Sequence, residues 1–373
     1  MNKQEINYYI KWFYKNSVLV ISCIIAIISC FWVRPDKIYI DYFDYKTLSC
    51  LFCVLAVVCA FKNIHFFDVI AQKIVCKWGN LRSAIIAIVY ITFIASMLIA
   101  NDMALLTFLP LGYFVLSDTN KQSYMAFTFI MQNIAANLGG MLTPFGNPQN
   151  LYLYSFFNIG NLEFIKIMLV PFIISIVLIT ICCLFIKPEP LTLHKNETQT
   201  LPMWRTIGYT ILFIFSILIV FRFIPYIWGL IVVSFALFIL DKKALTAIDY
   251  PLLCTFAAFF IFSGNFARIE ALQTILGSIV QQHPLLTGTI SCQIISNVPS
   301  AILLSKFTTN YQHLLVAVNI GGVGTLIASL ASLITFREYT KYHPEKTWYY
   351  LGMFSLFNGG FLLILLLTSM LWI

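Results

Sequence analysis

Apolar stretches close to one membrane thickness long recur along this chain of 373 residues, and they leave few folds open to it. About 20 apolar residues cross a bilayer core as a helix, so a chain built of such runs reads as an all-α polytopic membrane protein. A transmembrane barrel would alternate apolar and polar residues over segments of about ten, whereas this sequence comes in blocks. Composition agrees: 60% of residues are hydrophobic and 10% charged, against about 25% charged in soluble domains. The runs fall near 17–33, 45–62, 84–100, 103–117, 122–142, 147–158, 163–186, 204–222, 225–241, 249–263, 285–295, 300–305, 311–336 and 347–372. About 10–11 full spans are expected. The stretches 64–79 and 265–281 are amphipathic and suit the interface.

The formal charge of +8 is spread singly or in short groups between apolar runs. That is the pattern of basic cytoplasmic loops, not of a nucleic-acid-binding face. Lys3, Lys11 and Lys15 precede the first run, which is long and lacks a cleavage-type end; the N-terminus is expected in the cytoplasm of a multi-pass cell-membrane protein. Most of the ten cysteines sit in apolar runs, and Cys50-x-x-Cys53 reads as helix packing. The five histidines show no metal-ligand spacing, and no G-x-S-x-G motif appears. An enzyme, a resident metal or an organic cofactor is therefore not expected, beyond a coupling Na+ or H+.

A repeat organises the chain. "NLGGMLT" (137–143) and "NIGGVGT" (319–325) share Asn, Gly, Gly and Thr at one constant shift of 182. Upstream of each lies a small-polar pair, in "IANDMALL" (99–106) and "ISNVPSAILL" (295–304), and further upstream "FDYKTL" (43–48) matches "IDYPLL" (248–253). Lys62, Lys73, Lys77 and Arg82 put the approach to the first pair inside, while 264–283 carries only Arg268 and Glu270. Lys242 and Lys243 put "IDYPLL" inside, and "FDYKTL" follows the first span outside. The halves thus run in opposite senses, as inverted repeats of secondary transporters do. The division expected is 1–186 for the first repeat with its N-terminal span, 187–203 for a polar linker and 204–373 for the second repeat.

The polar residues at membrane depth mark the site. Ser83–Ser117 holds one charged residue, Asp102, and would be about 50 Å long as one helix. Two passes or a re-entrant hairpin tipped by Asn101-Asp102 would fit. Pro284–Ser305 is uncharged and too short for two crossings, with Ser296-Asn297 past its centre and Pro299 after it, which favours a hairpin; by symmetry the first is a hairpin too. "TPFGNPQN" (143–150) cannot continue a helix and stands in an uncharged stretch from Gln122 to Leu162. Gly321, Gly322 and Gly324 flank Thr325 at the middle of a second one. Irregular backbone at that depth must be buried in protein or line a cavity. Asn147, Gln149 and Asn150 stand where the second half has Ser329, Ala331 and Ser332.

In these residues the chain resembles the ion transporter superfamily of citrate-transporter-like permeases, divalent-anion/sodium symporters and arsenite permeases. "ANDMALLTFLPL", "TPFGNPQNL" and "ISNVPSAILL" are most similar to its arsenite-permease and uncharacterised anion-permease branches. The resemblance implies two inverted repeats, each with a re-entrant hairpin and a discontinuous helix, elevator-like movement and homodimers. It carries over Asn101, Ser296 and Asn297 from the hairpin motif, whose Thr is absent in both halves, and Gly139, Gly140, Thr143, Gly321, Gly322 and Thr325 from the glycine stretches. With Asp102, Asn137, Asn147, Gln149, Asn150, Asn319 and Ser329 these form the expected substrate and ion site. The expected function is secondary active transport of a small anion coupled to H+ or Na+, with Asp102 as the coupling residue. Metalloid efflux and cation/proton antiport are the alternatives; a passive channel or membrane sensor is the different class.

Overall fold

The computed structural model describes residues 16–75, 79–190 and 200–373. Lys3, Lys11, Lys15, Lys77 and His194, the side chain of Lys73 and the middle of the 187–203 linker lie outside the described residues. The first half runs α1 (Ser17–Trp32), α2 (Tyr45–Asn63), α3 (Phe66–Val75), α4 (Leu81–Ser96), α5 (Asn101–Asp118), α6 (Met125–Gly139), α7 (Pro148–Phe156) and α8 (Asn161–Leu184). The second runs α9 (Met203–Val220), α10 (Tyr226–Leu240), α11 (Lys242–Thr246), α12 (Tyr250–Phe266), α13 (Glu270–Gln282), α14 (Pro284–Ile295), α15 (Asn297–Leu304), α16 (Tyr311–Ile320), α17 (Leu330–Tyr342) and α18 (Thr347–Trp372).

Among the described residues, α2, α8, α9 and the segment Pro344–Trp372 are each long and apolar enough to cross a bilayer; α12 and α13 qualify together but are bent by 101°. The shorter apolar helices are α1, α4, α10 and α14. The remaining apolar sequence is divided among helices that stop early, because Pro, Gly and Asn interrupt it between α6 and α7 and three glycines interrupt it between α16 and α17. Arg337 and Lys341 belong to α17, which continues past the apolar run to Tyr342.

Helix starts follow the local chemistry. Asp44 caps α2 by accepting from Thr47 N at 2.9 Å, and Asp249 caps α12 by accepting from Leu252 N at 3.0 Å. Both satisfy a backbone donor that the first turn leaves open. Asp44 and Asp249 are the matched residues of "FDYKTL" and "IDYPLL", and their φ/ψ values agree (−85°/85° and −75°/75°).

Loop contacts define two faces. On one, Leu81 N donates to Glu189 O (2.8 Å), Arg82 Nε donates to Ile186 O (2.6 Å), Lys121 pairs with Glu189, and Asn63 donates to Asp241 (2.9 Å). We call this the linker face. On the other, Arg268 pairs with Asp36 (2.7 Å), Tyr311 donates to Glu163 (2.6 Å), and Arg222 donates to Asn158 and to the Tyr154 carbonyl. α8 connects the two. The discontinuous pairs α6–α7 and α16–α17 lie in the middle: all of α6 but Phe127, and α16 from Leu314 to Ile320, are buried. α9 and α10 turn Ile207, Ile211, Ile214, Ile231 and Phe235 outward, an apolar surface that suits lipid.

Candidate substrate and ion site

The tips of two helical hairpins meet the two helix breaks. Between α4 and α5 the chain turns at Ala100 (φ 51°), and between α14 and α15 it turns at Ser296 (φ 76°). A non-glycine residue with positive φ costs strain, and it stands here twice, each time directly before an Asn. Asn101 Oδ1 then accepts from Asp102 N (3.0 Å), and Asn297 Oδ1 accepts from Val298 N (2.9 Å).

The breaks match as well. Asn147 precedes α7 with φ/ψ of −132°/140°, and Ser329 precedes α17 with −149°/144°. Each break is tied to its own hairpin by a threonine: Thr143 Oγ1 donates to Met97 O (2.6 Å), and Thr325 Oγ1 donates to Gln293 O (3.1 Å).

A relay of buried amides joins the pieces. Asn101 Nδ2 donates to Asn137 Oδ1 (3.1 Å), and Asn137 Nδ2 donates to Asn133 O (3.1 Å). Asn150 Nδ2 donates to the carbonyls of Gly140 (3.1 Å), Met141 (3.3 Å) and Thr143 (3.2 Å), so its Oδ1 must be the acceptor. That Oδ1 receives Asn319 Nδ2 at 2.6 Å, which also donates to Leu315 O at 2.8 Å. Asn319 Oδ1 in turn accepts from Asn147 Nδ2 at 3.2 Å, and Asn147 Nδ2 also donates to Asn137 O at 3.1 Å. The backbone fixes each amide of this relay: a carbonyl, which can only accept, does so for Asn137, Asn147, Asn150 and Asn319, and the Asp102 N–H, which can only donate, for Asn101. Asn147 Oδ1 is what remains: a buried acceptor with no donor among the described residues. Asp102 Oδ1 and Gln149 Oε1 are buried and undonated as well. Such atoms cost free energy unless something satisfies them.

The glycines divide by what they face. A Cβ at Gly322 would lie 3.1 Å from Asn297 Nδ2, 3.2 Å from Asn319 O and 3.4 Å from Asn137 Oδ1, so Gly322 sits where residues of both halves converge. A Cβ at Gly140 would lie 2.3 Å from Asn147 Oδ1. Gly139 faces Phe93 O and Ser96, and Gly321 faces Cys292 and Ala317 O, so both serve helix packing. Thr325 is exposed on the Gln293 side, and Ser329 Oγ accepts from Ala331 N at 3.1 Å as a helix cap.

Four polar residues at this depth were not singled out from the sequence. Gln293 Nε2 donates to Gly321 O (2.9 Å) and Val323 O (3.2 Å), and its Oε1 accepts from Thr325 N (2.8 Å). Gln132 Nε2 donates to Phe108 O (2.8 Å) and Thr92 Oγ1 (3.1 Å), binding both arms of the first hairpin to α6. Asn133 Nδ2 donates to Asn358 Oδ1 of α18 (3.2 Å) and to Ser332 Oγ (3.3 Å). The available signal was an amide inside an apolar run; no motif accompanies it.

The arrangement offers neutral amides, hydrogen-bond acceptors and one carboxylate. No Lys or Arg is hydrogen-bonded to the hairpin-tip or break residues among the described contacts. Asp102 stands in the first turn of α5, where the helix dipole favours an anion, and Asp249 lies within electrostatic reach of it. The undonated oxygens would suit a bound cation or a proton on Asp102.

A family model described as "Citrate transporter" matches residues 11–313. An uncharacterized transporter of Methanocaldococcus jannaschii is 33% identical over 306 residues, covering 82% of this chain and 84% of that protein. Inner membrane protein YbiR of Escherichia coli is 27% identical over 321 residues, covering 84% of each. A putative transporter arsB of Dictyostelium discoideum is 22% identical over 169 residues, covering 45% of this chain and 29% of that protein.

Proposed function

The chain belongs to the citrate transporter family, whose members are transporters and not enzymes, and from that premise we propose secondary active transport of a small anion, coupled to H+ or Na+ at Asp102 and the first helix break. The observation that carries the coupling is the undonated Asn147 Oδ1, an acceptor by necessity, with Asp102 Oδ1 undonated as well. A coupling cation supplies what these oxygens lack. The anion would meet the backbone N–H groups and neutral amides at the hairpin tips and breaks.

In this reading the halves are inverted repeats with re-entrant hairpins. Support comes from the matched caps Asp44 and Asp249, which lie on opposite faces: Asp44 reaches Ser155 on the far face, and Asp249 lies within reach of Cys59 beside the linker-face residue Asp241. The two hairpins and the two broken helices would move together against α2 and α12 in an elevator-like cycle, within a homodimer. The linker face, with Lys62, Arg82, Lys121, Lys187, Lys242 and Lys243, would be cytoplasmic. The start of α1 borders the same small cavity as Asp249, which supports a cytoplasmic N-terminus.

A second reading, metalloid efflux, draws on the neutral donors: a site whose amides carry no bonded Lys or Arg suits a weakly charged hydroxide or oxyanion. Counterflow in proteoliposomes against citrate, other carboxylates, inorganic oxyanions and arsenite, at two pH values and with or without sodium, separates these. Gradient-driven anion uptake in the wild type that loses its pH or sodium dependence in Asp102→Asn is expected. Full and equally ion-dependent transport by that variant would remove the coupling role.

A further inference from the structure

Two cations lie against the last turn of α7 and a third lies within electrostatic reach of one of them, and the function proposed above uses none of the three. The Arg222 guanidinium lies over the Tyr154 ring (4.1 Å to the centroid), and Lys306 Nζ lies over the Phe156 ring (4.5 Å). Lys46 lies within electrostatic reach of Arg222, and Asp44 is the carboxylate within reach of both Lys46 and Lys306. Asp44 is already engaged: Oδ1 accepts from Thr47 N, Oδ2 accepts from Thr47 Oγ1 at 2.6 Å, and Ser155 Oγ stands 3.5 Å from Oδ1. Neither lysine is in an ion pair among the described residues. Arg222 Nε is buried and donates to nothing among the described residues. Three positive charges against one carboxylate, with a buried donor left over, call for an anion.

Position links this cluster to the site. α7 starts at Asn147, in the site, and nine residues later ends among the cations. α15 starts at Asn297, at the other hairpin tip, and its eight residues lead to Ser305 and Lys306. At about 1.5 Å per residue each helix spans about 12–14 Å. The two helices pack on one another, and Tyr152 and Ser305 hydroxyls meet at 2.8 Å. Two helices that begin at the candidate site thus both end at the cations.

We propose that Lys46, Arg222 and Lys306 form a low-affinity subsite for a multivalent oxyanion on the far face, one short helix from the candidate site, which raises the local concentration of substrate before it enters. It rests on the anion reading above. A field focused at a mouth changes capture more than turnover, so neutralising it acts on KM.

The purified protein in neutral detergent is acylated with an amine-reactive ester, with citrate or with chloride at equal ionic strength, and the modification of Lys46 and Lys306 is read by peptide mass spectrometry. Citrate is expected to slow both lysines about tenfold relative to chloride, the lower end of such focusing, and Arg222→Gln is expected to remove the protection. Equal rates in citrate and chloride overturn the subsite. The same oxyanion chemistry belongs to acidic lipid headgroups, so a second arm uses vesicles of phosphatidylcholine with and without phosphatidylglycerol. Protection by phosphatidylglycerol and not by citrate overturns substrate capture. In transport, Lys46→Gln with Lys306→Gln is expected to raise KM for a transported anion with little change in kcat, and Lys306→Arg to restore it. Citrate protection without any anion transport would leave the subsite standing and remove the transport reading instead.

Discussion

Asn147 Nδ2 stands 3.2 Å from Asn319 Oδ1, a direct side-chain link between the two helix breaks. The polarity of the link is fixed at both ends by carbonyls: Asn147 Nδ2 also donates to Asn137 O, and Asn319 Nδ2 donates to Leu315 O. Asn147→Ala would leave both acceptors unsatisfied. The expected loss is about 1–3 kcal/mol for each buried group left unpaired, read as a lower Tm in detergent. A double-mutant cycle with Asn319→Ala should be non-additive by about 0.5–3 kcal/mol. Additive losses would show that the two breaks are not joined through this pair.

Glycine substitutions separate the site from the packing around it. Gly140→Ala would place a methyl 2.3 Å from Asn147 Oδ1 and 2.8 Å from Gly146 O, so the amide must move. Transport should fall by at least about tenfold, since shifts near 1 Å at a reacting site cost on the order of a hundredfold. Gly359→Ala in α18 has nothing within 4 Å of the new carbon and should transport as wild type. Uptake normalised to the folded amount in the membrane checks both. Equal uptake by Gly140→Ala would mean that Asn147 can move without consequence.

The sequence and the structure agree most where local chemistry decides. Asp44 and Asp249 are helix caps in matching positions, and caps are written in a few neighbouring residues. The breaks at "TPFGNPQN" and around Gly324 follow from residues that cannot sustain a helix. The hairpin turns were placed by Asn101 and Asn297, although nothing local requires φ above zero at Ala100 or Ser296. What was hidden is what answers the breaks. Once a helix opens, its carbonyls need donors, and Gln293 supplies them at the second break and Asn150 at the first. Those pairings exist only after folding, so an isolated Gln in an apolar run shows that some partner exists without showing which. Gly139 and Gly321 illustrate the converse: they belong to the repeated motif, yet they pack helices together.

Gln293 holds the second break in shape through two of its carbonyls, Gly321 O and Val323 O, and one backbone N–H, that of Thr325. Gln293→Met keeps roughly the volume and removes every one of these bonds. With Gly324 at φ 124° beside the Gln293 amide, the segment 321–325 should loosen. Hydrogen exchange at Thr325 and its neighbours should quicken by about tenfold or more, the equivalent of losing about 1.4 kcal/mol of local protection. Unchanged exchange there would assign Gln293 to packing alone.

The connector is tied to the linker face through an ion pair with a defined pH window. The Lys121 ammonium beside Glu189 holds that carboxyl below the usual glutamate range. A carboxyl depressed in the folded state stabilises it above the unfolded pKa and stops doing so as pH falls through the folded pKa. The contribution should therefore be present at neutral pH and fade below about pH 4.5, where an unperturbed Glu takes up its proton. Both groups are partly exposed, so the effect is modest and screened by salt. Wild type should resist proteolytic nicking near residues 186–190 better than Lys121→Gln at neutral pH. The difference should shrink below about pH 4.5 and at high ionic strength. A difference that persists unchanged at acid pH would mean that Lys121 acts through packing and not through the charge of Glu189.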